Sequence, residues 1–193
     1  KNDFNYENIY YYDDDIYVTE NPLIRHLDVL ELFSSYYMNQ YSPLAMLVMG
    51  IEFKISSEPV FIKSISVLLH LLVTFLLYKL LMSLFEKIEY VLIPVALFAL
   101  HPMQVESVAW TAASMKIGSC AFFFLASLIF YVKYIENKKV GYFFLSFLLF
   151  LFSCLSKEQA IVLSATLFAI DYFKGRNFVD KKLWLEKIPF IML

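Results

Sequence analysis

Residues 62–85 read IKSISVLLHLLVTFLLYKLLMSLF. The run exceeds the roughly 20 residues that carry an α-helix across a bilayer, and only Lys63, His70 and Lys79 in it bring a basic group. It predicts a helix that crosses a membrane by itself, and that decides the fold class. Working outward, further apolar runs occupy Tyr90 to His101, Ile117 to Ile135, Val140 to Leu155 and Ala160 to Phe173. Glu86-Lys87-Ile88-Glu89, Glu136 to Lys139 and Ser156-Lys157-Glu158-Gln159 are the tight polar turns between them. The second run is short, so its helix must begin in the turn or continue past Pro102. The expected fold is all-α: a polytopic integral membrane helix bundle over residues 61–193, with about five spans. Ile188 to Leu193 reads as the start of a sixth, in a chain expected to have a helix before Lys1 and more after Leu193.

Composition agrees. Hydrophobic residues make up 60% of the chain, against about half in a soluble domain. The net charge of −2 leaves no basic footprint for nucleic acid. Cys120 and Cys154 both lie inside apolar runs, where a cysteine serves as a small core residue. There is no His-x-x-x-His pair, no glycine-rich phosphate loop, no serine nucleophile elbow and no internal repeat at solenoid periods.

Residues 1–60 are too charged to span. Their ten acidic residues (Asp3, Glu7, Asp13, Asp14, Asp15, Glu20, Asp28, Glu31, Glu52 and Glu58) face three basic ones, Lys1, Arg25 and Lys54. Tyr10, Tyr11, Tyr12, Tyr17, Tyr36, Tyr37 and Tyr41 suit a membrane interface. The segment reads as a first loop lying on the membrane, with short interfacial helices: one over Asp28 to Tyr37, with Leu27, Leu30 and Phe33 on one face, and one over Leu44 to Phe53, opened by Ser42-Pro43. Within it Asp13-Asp14-Asp15 packs three carboxylates together. Such a run binds a cation, handles protons, or is simply a solvated acidic loop.

Basic residues give the orientation. Lys79, Lys87, Lys133, Lys138, Lys139, Lys174, Arg176, Lys181, Lys182 and Lys187 gather at one side of the expected bundle, against Lys63, Lys116 and Lys157 at the other. The richer side is cytoplasmic, which sends Asp13 to Asp15, the stretch His101 to Lys116, and Ser156 to Gln159 outward. At that outer face His101-Pro102 ends the second span, and Glu106 follows. Ionisable groups at a broken helix end at membrane depth are functional candidates, although His101 could equally cap its own helix. Lys116 either snorkels or meets a phosphate. Lys157 stands beside Glu158, a local pair worth little. His70 lies seven residues after Lys63 on one face of the first span, and reads as a satisfied core histidine.

Taken in order, Tyr12-Asp13-Asp14 with Asn21-Pro22, Tyr41-Ser42-Pro43-Leu44, Pro59 followed by Leu68-Leu69-His70, Phe98-Ala99-Leu100-His101-Pro102, Val105-Glu106-Ser107-Val108-Ala109-Trp110, Ser156-Lys157-Glu158-Gln159 and Asp171-Tyr172 resemble polytopic glycosyltransferases of the GT-C type. They look closest to the O-mannosyltransferase-like membrane proteins that carry C-terminal TPR repeats. The resemblance implies transfer of a sugar, a mannose-like hexose, from a polyprenyl- or dolichyl-phosphate donor to a protein hydroxyl or glycan on the outer face. The membrane would be the bacterial inner membrane, or that of the endoplasmic reticulum in a eukaryote. The resemblance makes Asp13 and Asp14 the catalytic carboxylates. A hydroxyl needs such a base, and a departing lipid phosphate needs cations or donors. His101, Glu106, Lys116 and Lys157 are the candidate donor- and acceptor-binding residues. Three carboxylates also suit Mg²⁺ or Mn²⁺, with Asp15 the candidate metal ligand. The chain departs from the pattern twice. Only Lys116 stands where many relatives have an acidic-basic pair, and Lys63 and Ser66 stand where relatives often show a His and then an Asn. The rival readings are a transporter or channel, with the aspartates as a cation vestibule, and a non-catalytic membrane scaffold. The spans carry few charges at midplane depth, which argues against a translocation path.

Orientation is testable directly. Cysteines introduced at Asp14 and Lys181 should react with a membrane-impermeant reagent from opposite sides, and labelling of both from one side would reverse the assignment.

Overall fold

The computed structural model describes residues 20–193, which form helices and no strand beyond an isolated bridge between Tyr37 and Gln40. Three short helices come first: α1 (Pro22–His26), α2 (Val29–Ser34) and α3 (Pro43–Ile55). Asn21 starts α1 by accepting the Leu23 N–H at 3.0 Å, and Asp28 starts α2 by accepting those of Leu30 and Glu31, so the first orphan donors of each helix are satisfied. Proline opens α1, α3 and the long helix α4 (Pro59–Leu84), where its missing N–H has no bond to lose. Helix α2 is shorter than the expected Asp28 to Tyr37, and its inward residue is Leu32, 1% exposed, while Leu30 is 83% exposed. The Ser34 hydroxyl bonds back to the Leu30 carbonyl at 2.7 Å, and Ser35 is already extended.

Among the described residues, two helices are long and apolar enough to cross a membrane, α4 and α7 (Thr111–Asn137). Between them lie α5 (Ile88–Leu100) and α6 (Gln104–Ala109), and after them α8 (Val140–Ser156), a 3-10 turn over Glu158–Val162, α9 (Leu163–Phe173) and α10 (Lys181–Ile191). Helix α5 has 13 residues, about 20 Å of rise, which falls short of a ~30 Å hydrocarbon core. The return path continues past Pro102 as α6. Helix α7 begins at Thr111, ahead of the expected Ile117, so Lys116 lies within it and is buried. The last run opens as a 3-10 turn before α9.

Helix α7 is the spine. Against α8 it runs antiparallel, joined by reciprocal bonds from the Ser127 and Ser146 hydroxyls to each other's carbonyls (2.8 and 2.9 Å) and from the Ser153 hydroxyl to the Cys120 carbonyl (2.8 Å). Against α4 it runs parallel. The Ser66 and Ser114 hydroxyls meet at 2.8 Å, and a Cβ on Gly118 would come within 2.6 Å of the Leu69 side chain. Small residues and hydroxyls at both contacts bring backbones close where apolar burial alone gives no preference between helices. Helices α1–α3 cover the Thr111 end of α7, where Leu23, Ile24, Leu32, Met46 and Met49 form one core with Ala112 and Met115. Gly50 of α3 eases the fit there, since a Cβ would displace the end of the Leu27 side chain and come within 3.2 Å of the Ile24 carbonyl.

At the other end of α7 a buried ionic cluster holds the last two helices. The Tyr131 hydroxyl donates to Asp171 of α9 (2.9 and 3.0 Å) and accepts from Arg176 (3.1 Å) and Lys187. Arg176 also bridges Asp171 and Glu186 (3.0 and 2.8 Å), Lys187 pairs with Asp171 at 2.5 Å, and Tyr134 donates to Glu186 at 2.7 Å. Two carboxylates face two cations, and Asp171 and Lys187 are wholly buried. Burial opposes the Arg176 charge, but hydrogen bonds to Glu186 and Asp171 outweigh it and raise its pKa above the ordinary range.

Breaking one member leaves an uncompensated buried charge, which destabilises by about 3–5 kcal/mol. Asp171→Asn should therefore lower the detergent-solubilised melting temperature sharply. Adding Lys187→Met, which leaves Arg176 with Glu186, should restore much of the loss. Additive losses in the double variant would show that the charges do not act as one set.

Candidate functional site

The Thr111 end of α7 carries a polar cleft of about 260 Å³, lined by Gln40, Glu106, Trp110, Lys116, Ile117 and Lys157 among others. Each polar side chain arrives from a different element. Gln40 closes a tight turn in which the Tyr37 and Gln40 backbones bond to each other (3.1 and 3.0 Å), with Met38 and Asn39 at φ of 48° and 60°. Asparagine tolerates that left-handed geometry and methionine does not favour it. Glu106 is exposed on α6, whose last turn closes through the Trp110 N–H on the Glu106 carbonyl at 3.2 Å. Lys116 comes from α7, 6% exposed, and its ammonium donates to the Gln40 side-chain oxygen at 2.9 Å. Lys157 sits where α8 ends, in extended conformation, with its N–H on the Ser153 carbonyl at 3.0 Å.

An apolar groove of about 310 Å³ adjoins the cleft. Ile117 and Lys157 line both, and Leu77, Phe98, Phe124 and Leu125 continue the groove. Among the described residues, Lys116, Lys157 and Glu106 thus line a cleft beside an apolar groove. Such a set neutralises an anionic oxygen group, and the carboxylate supplies an acceptor for hydroxyls.

Glu106, Lys116 and Lys157, carried by three different elements, are brought together. His101 is not. It is exposed at the end of α5, and its Nδ1 accepts the Met103 N–H at 3.2 Å, a bond to the turn that follows rather than to the carbonyls of its own helix. His70 reads as expected: its Nε2 lies 3.2 Å from the Ala99 carbonyl, and its ring stacks on Phe98. Cys120 and Cys154 are free thiols. Asp13, Asp14 and Asp15 lie outside the described residues. Among the described residues no three His, Cys, Asp or Glu side chains converge as a metal-ligand set. Sequence reasoning missed Gln40 and Trp110 as cleft residues, since neither is charged. It also passed over the Asp171 cluster as a unit, although a carboxylate inside an apolar run is itself a signal.

No family model matches this chain, and no solved structure does. Curated relatives do match. The chain is 30% identical over 153 residues, 73% of its length, to protein O-mannosyl-transferase TMTC1 of Homo sapiens. It is 34% identical over 97 residues, half of its length, to protein O-mannosyl-transferase Tmtc1 of Drosophila melanogaster. A protein O-mannosyl-transferase of Caenorhabditis elegans is 26% identical over 201 aligned positions, 94% of this chain. The matches take in 17%, 11% and 28% of those relatives, so the chain spans less than a third of their length. In sequence this chain is O-mannosyltransferase-like.

One buried group near this end titrates in an accessible range. Glu52 of α3 is 5% exposed, and burial pushes its carboxyl up from 4.5 to about 7. An acid whose folded pKa is raised contributes stability below its unfolded pKa and loses it as pH climbs toward the folded value. The shift corresponds to about 3 kcal/mol. Glu52→Gln should match the parent near pH 4.5 and exceed it in thermal stability above pH 7. A constant difference across that range would mean Glu52 is charged in the fold.

Proposed function

We propose that this O-mannosyltransferase-like chain takes part in moving a mannose-like sugar from a polyprenyl- or dolichyl-phosphate donor to a protein hydroxyl on the outer face of the membrane. The observation that carries the reading is that the two-lysine cleft and the apolar groove share Ile117 and Lys157 as lining. A lipid phosphate has that same division, an anion at one end and a hydrocarbon chain at the other. The groove of Phe98, Phe124 and Leu125 suits the first isoprene units, and Lys116 and Lys157 suit the phosphate.

In this reading the acceptor hydroxyl attacks the anomeric carbon as the bond from that carbon to the phosphate oxygen breaks. Asp13 or Asp14 takes the hydroxyl proton, and the electron pair leaves with the phosphate. The attack comes from the face opposite the leaving group, so the configuration inverts. Lys116 and Lys157 offset the charge that grows on the phosphate, the part of the reaction where fixed cations help most. Lys116 is fixed by Gln40 and by burial, so little reorganisation is needed when the charge develops. Glu106 accepts hydrogen bonds from sugar hydroxyls.

The test is a transfer assay with a polyprenyl-phosphate sugar and a serine- and threonine-containing peptide, on protein shown to be inserted. Lys116→Met and Lys157→Met should each lower transfer, and donors with a shortened polyprenyl chain should raise KM. Of Asp13→Asn, Asp14→Asn and Asp15→Asn, one should lose about 10²–10⁴-fold. Three equal, small losses that fade with salt would indicate a cation vestibule and favour the transporter or channel.

A further inference from the structure

Helix α4 carries three polar side chains on one face in its outer half, Lys63, Ser66 and His70. Each ends on a different part of the broken return path. The Lys63 ammonium donates to the Ala109 carbonyl at 2.6 Å, the last residue of α6. The Ser66 hydroxyl meets that of Ser114, in the first turns of α7. The His70 ring nitrogen meets the Ala99 carbonyl, near the end of α5. A helix of six residues such as α6 is too short to be stable alone, and its terminal carbonyls have no partner within it. What holds α6 in place must come from outside, and the Lys63 bond supplies a charged donor to the terminus that favours one.

We propose that Lys63 is a positioning residue of the cleft: by capping Ala109 it fixes α6 against α4, and so fixes Glu106 and Trp110 at the cleft mouth. Glu106 lies one turn before Ala109, and Trp110 follows it directly, so the coupling runs over a single turn of backbone. Lys63 and Ser66 both serve this grip. The role of Glu106 in transfer rests on the function proposed above; the anchoring of α6 does not.

The test separates the two. In a background lacking Cys120 and Cys154, a nitroxide is attached at Val105, 66% exposed on α6, and as control at Ile161, 54% exposed on the 3-10 turn. Lys63→Met keeps the aliphatic stem and removes the donor. It should increase the mobility of the Val105 label and leave the Ile161 label unchanged, and Lys63→Arg should restore the parent spectrum. Should Lys63→Met fail to accumulate in the membrane, Lys63→Gln, which shortens the donor, gives the same comparison. In the transfer assay Lys63→Met should lower the rate roughly ten- to hundredfold. That loss should vanish in a Glu106→Gln background, because residues acting through one another are not additive. A Val105 label as ordered in Lys63→Met as in the parent overturns the inference, and so do losses that multiply in the double variant. If Glu106→Gln transfers at the parent rate, the function proposed for the cleft fails and the label result alone decides on Lys63.

Discussion

The antiparallel contact of α7 with α8 holds both ends of the molecule in register. In an apolar bundle there is no water to serve an unpaired hydroxyl or carbonyl, so polar groups that face a neighbouring helix bond to it. The exchange between Ser127 and Ser146, repeated near the end by Ser153 and the Cys120 carbonyl, fixes how far one helix slides along the other. That register decides that Lys157, at the close of α8, arrives beside Lys116 near the start of α7. A one-turn slip would move Lys157 by about 5.4 Å and separate the cations.

The charges at the two ends of α7 are handled in opposite ways. Around Tyr131 the cluster is closed: Asp171, Arg176, Glu186 and Lys187 balance one another and take up one another's hydrogen bonds. Such a set holds helices in place and leaves little capacity for a ligand. The cleft instead gathers Lys116 and Lys157 with the exposed carboxylate of Glu106 at its mouth. From Lys116 to Tyr131 the helix rises about 22 Å, so the cluster that stiffens the scaffold stands well away from the cleft.

Helix α4 serves this arrangement from the side. Its lipid-like face is exposed, with Val67, Leu68, Leu71 and Phe75 all largely uncovered. Its other face holds the return path that α5 is too short to complete. Lys63, read from the sequence as a basic residue near a span end, spends its charge on a helix terminus instead. Lysine and serine at these two positions suit the groups across from them, a bare carbonyl and another hydroxyl.

The sequence by itself determined the class and the rough order of the helices. Hydropathy needs no knowledge of neighbours, so residues 62–85 and the runs after it were legible; of the two ways to extend the short second run, a start in the turn or a continuation past Pro102, the structure uses both. Pro43 marked a helix start; Pro22, Pro59 and the capping side chains of Asn21 and Asp28 act just as locally on their own backbone, but were not read as helix-start signals. The inward face of α2 was misjudged, because six residues are too few for periodicity to choose between Leu30 and Leu32; packing against the rest of the fold chose. Only tertiary structure decided that Glu106, Lys116 and Lys157 share one cleft while His101 stands apart, that Gln40 reaches Lys116, and that Asp171 is neutralised by Arg176 and Lys187. Most of these join different helices and turns, and they are fixed by helix register and crossing. No local pattern records register, since it depends on which hydroxyls and small residues meet across the interface.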